Sequence, residues 1–247
     1  MRVIRPCDPI MSERDPIEAF GLAGVRAPII SFVGGGGKTT TLEALALDYQ
    51  NKEKPVIITT TTHMFYPDDR WVFTDSEDLW YIQHMANEHK ALWVGNKAEN
   101  RKISGKSMEI LEQLEGLSMP LLIEADGSKR LPFKMPGEHE PVLYPGTTYV
   151  FGVFGLDALH RPIQEVAHRS ERVCSFLEKK STDTLEINDF VRVIQSQMGL
   201  MKSVEPQMKF YMILNKADSM EQIKDGLLIR NQLFLQGIKD VYLTSYR

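Results

Sequence analysis

Four consecutive glycines, Gly34 to Gly37, separate the apolar run PIISFV (28–33) from Lys38, Thr39, Thr40 and Thr41. Few folds accept such a run in such a place. The stretch before it is rich in β-branched residues, as a strand buried on both faces should be. The stretch after it sets Leu42, Leu45, Ala46 and Tyr49 at i, i+3, i+4 and i+7, one face of a helix. A flexible linker does not join a buried strand to an amphipathic helix through Gly-Lys-Thr. Glycine lets backbone N–H groups turn inward without an obstructing Cβ, and the helix N-terminus adds donors of its own, so the segment reads as an anion-binding loop. The spacing G-x-x-x-x-G-K-[ST] would need glycine at position 32, where Phe32 stands. The shorter form G-x-x-G-K-T-T, from Gly34 to Thr40, fits instead and leaves Phe32 and Val33 to the strand. Gly34, Gly35, Gly36 and Gly37 are then expected to cradle phosphates. Lys38 would reach the β- and γ-phosphates and the Thr39 hydroxyl would take Mg²⁺.

The rest of the chain alternates in the same way. Strand patterns at 55–60, 91–95, 120–125, 148–154, 209–215 and 240–245 join the one at 28–33. A short helix is expected after Asp15-Pro16, another after Ser76, and others near 106–115, 170–178, 187–199 and 219–234. Alternation of this kind predicts an α/β fold, a three-layer, mostly parallel sheet with helices on both faces. Residues 1–12, with two prolines and no period, read as an N-terminal tail, and 13–247 as a single domain. The least regular stretch, 126–147, directly follows a buried strand, where parallel sheets place their ligands. A net charge of −4 without long single-sign blocks argues against a general nucleic-acid binder. Two cysteines, Cys7 and Cys174, form no C-x-x-C pair and are too few to staple a chain of 247 residues, which suggests a reducing, cytoplasmic setting. No apolar stretch nears the ~20 residues of a membrane span, and the N-terminus lacks a secretory apolar segment.

Further motifs ask which nucleotide and which metal. ILNKAD (213–218) ends an apolar strand with Asn-Lys-x-Asp and resembles the guanine-reading motif of GTPases. The Asp218 carboxylate can accept from guanine N1–H and the 2-amino group, and adenine offers neither. A site built on such bonds rejects the wrong base by roughly 10⁴-fold. Lys216 would run along the base and Asn215 would brace the loop. The plainer alternative is that Asp218 or Ser219 caps the next helix. LTSY (243–246), after the last strand, could offer a backbone N–H to guanine O6. In PLLIEADGSK (120–129), Glu124 and Asp126 follow a buried strand, where a metal-binding acid belongs. Asp126 is preferred in the metal shell, with Glu124 as a water-orienting or second metal-shell group, and the two roles could be reversed. Among the threonines of TTTTHM (59–64), Thr61 or Thr62 could face Mg²⁺ and the γ-phosphate; threonine is also simply a good strand residue. Lys129, Arg130 and Lys134 put three cations into the irregular stretch. With Asp157, His168 and Arg169 they are candidates for an anionic second substrate. His160 with Arg161, like His168 with Arg169, could close over the same site, although isolated histidines are more often satisfied surface or core residues. GEHE (137–140) lacks the H-E-x-x-H spacing of a zinc site.

The short glycine loop resembles that of the Mur-type ATP-dependent ligases. The assembled motifs FVGGGGKTT, TTTTHMF, LIEADGSKRLPFKMPGEHEPV, GLDALHRPI followed by AHR, and LNKAD resemble, in order, the selenium-dependent molybdenum-hydroxylase accessory protein family (YqeC type). The likeness runs from about residue 16 to the end. It implies a P-loop NTPase fold, here read as SIMIBI-like, and a role in preparing a selenium-containing cofactor or maturing a molybdenum hydroxylase. A more distant likeness, to the metallocentre-maturation GTPases of nickel enzymes, lacks their Cys/His metal-delivery motifs.

The expected activity is Mg²⁺-dependent, GTP-preferring nucleotide hydrolysis, with ATP as the other candidate nucleotide. Its alternatives are an ATP- or GTP-dependent kinase or ligase acting on a small anionic substrate, and a non-hydrolysing nucleotide-switched scaffold. Expected partners are the nucleoside triphosphate and, through the resemblance, a molybdenum hydroxylase or cofactor-biosynthesis protein. A homodimer is allowed; nucleic acid and membrane are not expected.

Overall fold

The computed structural model describes residues 1–6, 8, 10–99 and 101–247; Cys7 lies outside them. The strands are β1 (Arg2–Ile4), β2 (Ser12–Glu13), β3 (Ile29–Gly34), β4 (Val56–Thr60), β5 (His63–Phe65), β6 (Val72–Thr74), β7 (Ala91–Val94) and β8 (Asn96–Ala98). They continue as β9 (Lys102–Ser104), β10 (Leu121–Glu124), β11 (Phe133–Lys134), β12 (Tyr149–Gly155), β13 (Ala167–His168), β14 (Lys209–Asn215) and β15 (Val241–Ser245). The helices are α1 (Pro16–Ala19), α2 (Lys38–Asn51), α3 (Leu79–His89), α4 (Met108–Gly116), α5 (Ile163–Val166), α6 (Ser170–Leu177), α7 (Ile187–Gln195) and α8 (Met220–Leu235).

The main sheet has the order β2-β1-β15-β14-β12-β3-β10-β4-β7-β6, and every pairing from β15 to β6 is parallel. Its strands are covered on both faces, which is why they read as unbroken apolar runs. On one face, Ile30, Phe32, Ile58 and Leu122 pack against Leu42, Leu45, Ala46 and Tyr49 of α2, with Ile17 of α1 beside them. On the other, Ile29, Ile57, Leu92 and Ile123 meet α3 and α4 through Ile82, Ala86, Leu111 and Leu114. Farther along that face Met212 and Leu214 meet α7 and α8 through Phe190, Ile194, Ile229 and Leu233. The architecture is thus α/β, a large mostly parallel sheet between helical layers. Among the described residues, no helix is long and apolar enough to cross a membrane.

Some expectations shift. Residues 1–12, read as a tail, supply β1, which pairs antiparallel with β15 and buries Val3 and Ile4. Three residues are too few to show a period, but they shield what would otherwise be an exposed sheet edge. The helix expected from Ser76 starts two residues later, because Asp78 is the N-cap and accepts from the Tyr81 N–H. Strands β5, β9 and β8 form a small antiparallel sheet that sequence patterning did not show.

Candidate functional site

Parallel strands deliver their C-terminal ends to one edge. Register sets Glu124 opposite Phe32, Gly34 opposite Val153, and Asn215 opposite Gly155. The glycine run, the acidic strand end and the Asn-Lys-x-Asp segment therefore meet.

The glycines have a use that the sequence did not reveal. Gly34, Gly36 and Gly37 have φ of 98°, 76° and 132°, a region costly to other residues. A Cβ on Gly36 would overlap the Gly155 N–H, and one on Gly37 would overlap the Asn215 amide. The Gly34 N–H donates to Asp126 at 3.0 and 3.2 Å, the Gly35 N–H to the Val153 carbonyl at 2.8 Å, and the Gly36 N–H to the Leu131 carbonyl at 3.1 Å. Of the four glycines expected to cradle phosphates, Gly34, Gly35 and Gly36 here use their amides to hold the loop to its neighbours. Among the described residues, the N–H groups of Gly37, Lys38, Thr39 and Thr40 have no backbone or side-chain acceptor. They are the first-turn donors of α2, and Thr39 and Thr40 are exposed.

Lys38 is buried, donating to the Gly34 carbonyl at 2.7 Å and standing 3.1 Å from Asp126. Burial pushes its pKa down, yet Asp126 and Glu124 outweigh that and hold it above its usual value, so it stays charged. Asp126, preferred in the metal shell from sequence, is fully buried among three donors: the Gly34 N–H, Lys38 and Lys134 at 3.0 Å. Glu124 instead accepts from the Thr39 hydroxyl at 2.8 Å. Burial raises the Glu124 pKa against the pull of Lys38 and Thr39, as for a carboxylate short of positive charge. The Thr39–Glu124 pair thus offers the oxygens that suit Mg²⁺, an ion that keeps several waters and takes one or two protein ligands beside substrate phosphates. Among the described residues there is no group of three or more His, Cys, Asp or Glu that could hold a metal by itself.

Other expected contacts go elsewhere. The Thr61 hydroxyl donates to the Val142 carbonyl at 2.6 Å, and its N–H to the Glu124 carbonyl, so Thr61 ties the segment after β4 to the end of β10 and to the irregular stretch. Lys134, expected to meet an anionic substrate, is fully buried on Asp126, the Gly127 carbonyl and Glu140. Arg169 forks onto both oxygens of Glu140 at 2.7 and 2.9 Å. Glu140, weighed from the sequence only as part of GEHE against a zinc spacing, is thus the anchor of the irregular stretch. Burial would raise its pKa, but Arg169 and Lys134 hold it at about 2. Asp157 pairs with Lys216 at 2.7 Å, which assigns it to the Asn-Lys-x-Asp corner. His168 is half-buried; burial, then Arg169 and Lys134, push its pKa below the usual imidazole value. His160 turns away, to Asp225 at 3.0 Å. Lys129 and Arg130 stay exposed, and neither has a carboxylate partner among the described residues.

At that corner Asn215 donates to the Gly36 carbonyl at 2.9 Å and accepts from Thr244 at 3.0 Å, bracing the glycine loop against β15. Ser219, not Asp218, caps α8, in a capping box with Gln222. Asp218 is left to accept from the Ser245 hydroxyl at 2.7 Å, with Arg247 at 3.4 Å. The serine of LTSY therefore orients Asp218, a role the sequence did not suggest.

A family model described as YqeC protein matches residues 30–171. The protein "Uncharacterized protein YqeC" of Escherichia coli (strain K12) is 31% identical over 203 residues, which cover 79% of this chain and 78% of that one. No solved structure matches the chain.

Proposed function

The chain belongs to the YqeC family, and from that premise we propose that it binds a nucleoside triphosphate with Mg²⁺, prefers GTP and hydrolyses it. The observation that carries the reading is the meeting of Lys38, Thr39 and Glu124 at the C-terminal edge of the sheet, below free α2 amides. The acidic strand β10 lies directly beside the glycine-loop strand β3, in keeping with a SIMIBI-like P-loop class.

The amides of Gly37 to Thr40 and Lys38 would hold the phosphate tail, and Lys38 must then leave the Gly34 carbonyl. Thr39 and Glu124 would hold Mg²⁺, which neutralises charge on the β- and γ-phosphates. Asp218, oriented by Ser245, would accept from guanine N1–H and the 2-amino group, with Lys216 along the ring. Water attacks the γ-phosphorus in line, the bridge to the β-phosphate breaks, and its electron pair stays on the diphosphate. Of the water's two protons, one stays on the transferred oxygen and the other passes to a phosphate oxygen or to solvent. Turnover would serve the preparation of a selenium-containing cofactor or the maturation of a molybdenum hydroxylase, as the sequence resemblance implies.

Calorimetry with GTP, ATP and their diphosphates, with and without Mg²⁺, tests this. Tight Mg²⁺-dependent GTP binding that Lys38→Ala abolishes is expected. No triphosphate bound by the intact chain would end the proposal.

A further inference from the structure

The irregular stretch after β10 holds three cations, Lys129, Arg130 and Lys134, and Arg169 reaches it from beyond β13; two of these four are already neutralised. Lys134 sits on Asp126 and Glu140, and Arg169 on Glu140. Counted with Lys38, these three cations face three carboxylates, Asp126, Glu140 and Glu124. The site is therefore close to electrically balanced before any ligand arrives. A triphosphate brings several negative charges, more than one Mg²⁺ cancels, and in-line transfer develops further charge on the bridging and γ-oxygens. The α2 amides and Lys38 suit the tail as bound, and a further cation would serve the charge that develops in transfer.

Arg130 is placed to do so. Its turn is closed by the Leu131 N–H on the Ser128 carbonyl at 2.9 Å. It is fixed to the glycine loop by the Gly36 N–H on the Leu131 carbonyl at 3.1 Å, and to the end of β12 by the Gly155 N–H on the Pro132 carbonyl at 2.9 Å. The backbone of residue 130 thus adjoins a direct contact with the loop. Lys129 and Arg130 both take left-handed backbone conformations, φ 49° and 63°, a strain that side chains adopt only where the surroundings impose it. The guanidinium itself rests 4.4 Å from the Phe65 ring centroid, on a half-exposed ring beyond the threonine run. A cation–π contact at an exposed site is weak, and a charge-assisted bond to phosphate exceeds it.

We propose that Arg130 is a catalytic residue of the hydrolysis: it leaves Phe65 when Mg²⁺–nucleotide is bound and donates to the γ-phosphoryl oxygens as the bond to the β-phosphate breaks. Attack by water and departure of the diphosphate are unchanged in their balance; the guanidinium stabilises charge and transfers no proton. This rests on the nucleotide reading above and adds to it the group that stabilises the transition state.

The test compares wild type, Arg130→Ala and Arg130→Lys, using a non-hydrolysable GTP analogue for binding, Mg²⁺–GTP for turnover, and GDP with aluminium fluoride as transition-state mimic. Arg130 is exposed, so both variants should fold, which circular dichroism verifies. Turnover is expected to fall by about 10³-fold in Arg130→Ala, while analogue affinity stays within about threefold and aluminium fluoride no longer traps GDP. Arg130→Lys should recover only part of the rate, since lysine lacks the planar fork. Equal turnover in wild type and Arg130→Ala would overturn the proposal. So would parallel losses of binding and turnover, or a wild type that binds the analogue yet neither hydrolyses GTP nor traps GDP. Failure of wild type to bind any nucleotide is a different result, and sinks the nucleotide reading itself.

Discussion

Two acids two residues apart have opposite surroundings, and the difference assigns their work. Asp126 is fully buried against Lys38, Lys134 and the Gly34 N–H, whereas Glu124 has a hydroxyl from Thr39 and a raised pKa. Glu124→Gln should therefore abolish the Mg²⁺ dependence of nucleotide binding while leaving the fold intact, because its neighbours keep their partners. Asp126→Asn should do the reverse. It leaves Lys38 and Lys134 buried with one negative charge fewer, a cost of about 3–5 kcal/mol, so its thermal stability falls before any change in metal dependence. Calorimetry with and without Mg²⁺, beside urea unfolding, separates the two; a stability loss confined to Glu124→Gln would refute the assignment. Asp218 gives the residue-scale test of the base. Asp218→Ala should lower GTP affinity by about 10²-fold or more and leave ATP almost unchanged, and equal losses for both nucleotides would count against guanine selection.

At the scale of elements, the irregular stretch between β10 and β12 is held by charge. Lys134 and Arg169 converge on Glu140, whose folded pKa of about 2 lies below its ordinary 4.5. A depressed carboxylate stabilises the fold fully above pH 4.5, and that contribution drains away as pH falls toward 2. The shift sets an upper bound of about 3 kcal/mol. Wild type should lose more urea resistance than Glu140→Gln between pH 5 and pH 3, and identical slopes would show that the carboxylate does not anchor the stretch. The same elements show why legibility differs along the chain. Strands β3, β4, β10 and β14 were readable because burial on both faces writes an unbroken apolar run, and α2 because its inner face repeats at helical spacing. The places of Glu124, Thr39 and Asp218 at one edge of the sheet were readable because each stands at or just after the end of a strand or the glycine loop. Glu140 and Ser245 were not, since an ion pair from residue 140 to residue 169 or a hydroxyl across 27 positions leaves no local pattern. The burial of Lys134 was equally invisible: a lysine among prolines and charges looks solvated until its three acceptors are seen.

Across the whole molecule, the two ends of the chain join beside the corner that would read the base. β1 lies along β15 with Arg2 opposite Ser245, and Ser245 is the residue that orients Asp218. Removing residues 1–6 would expose Val3 and Ile4 contacts worth about 3 kcal/mol or more, and would leave β15 as an unpaired edge. The truncated chain should therefore unfold at lower temperature and scatter light at concentrations where the full chain does not. If β15 also loses its register, Ser245 drifts from Asp218, and GTP affinity should fall further than ATP affinity. Measuring both nucleotides on truncated and full chains distinguishes the outcomes. Lower stability with both affinities unchanged would show that β1 only shields an edge, while a selective loss of GTP would make the start of the chain part of how the base is read.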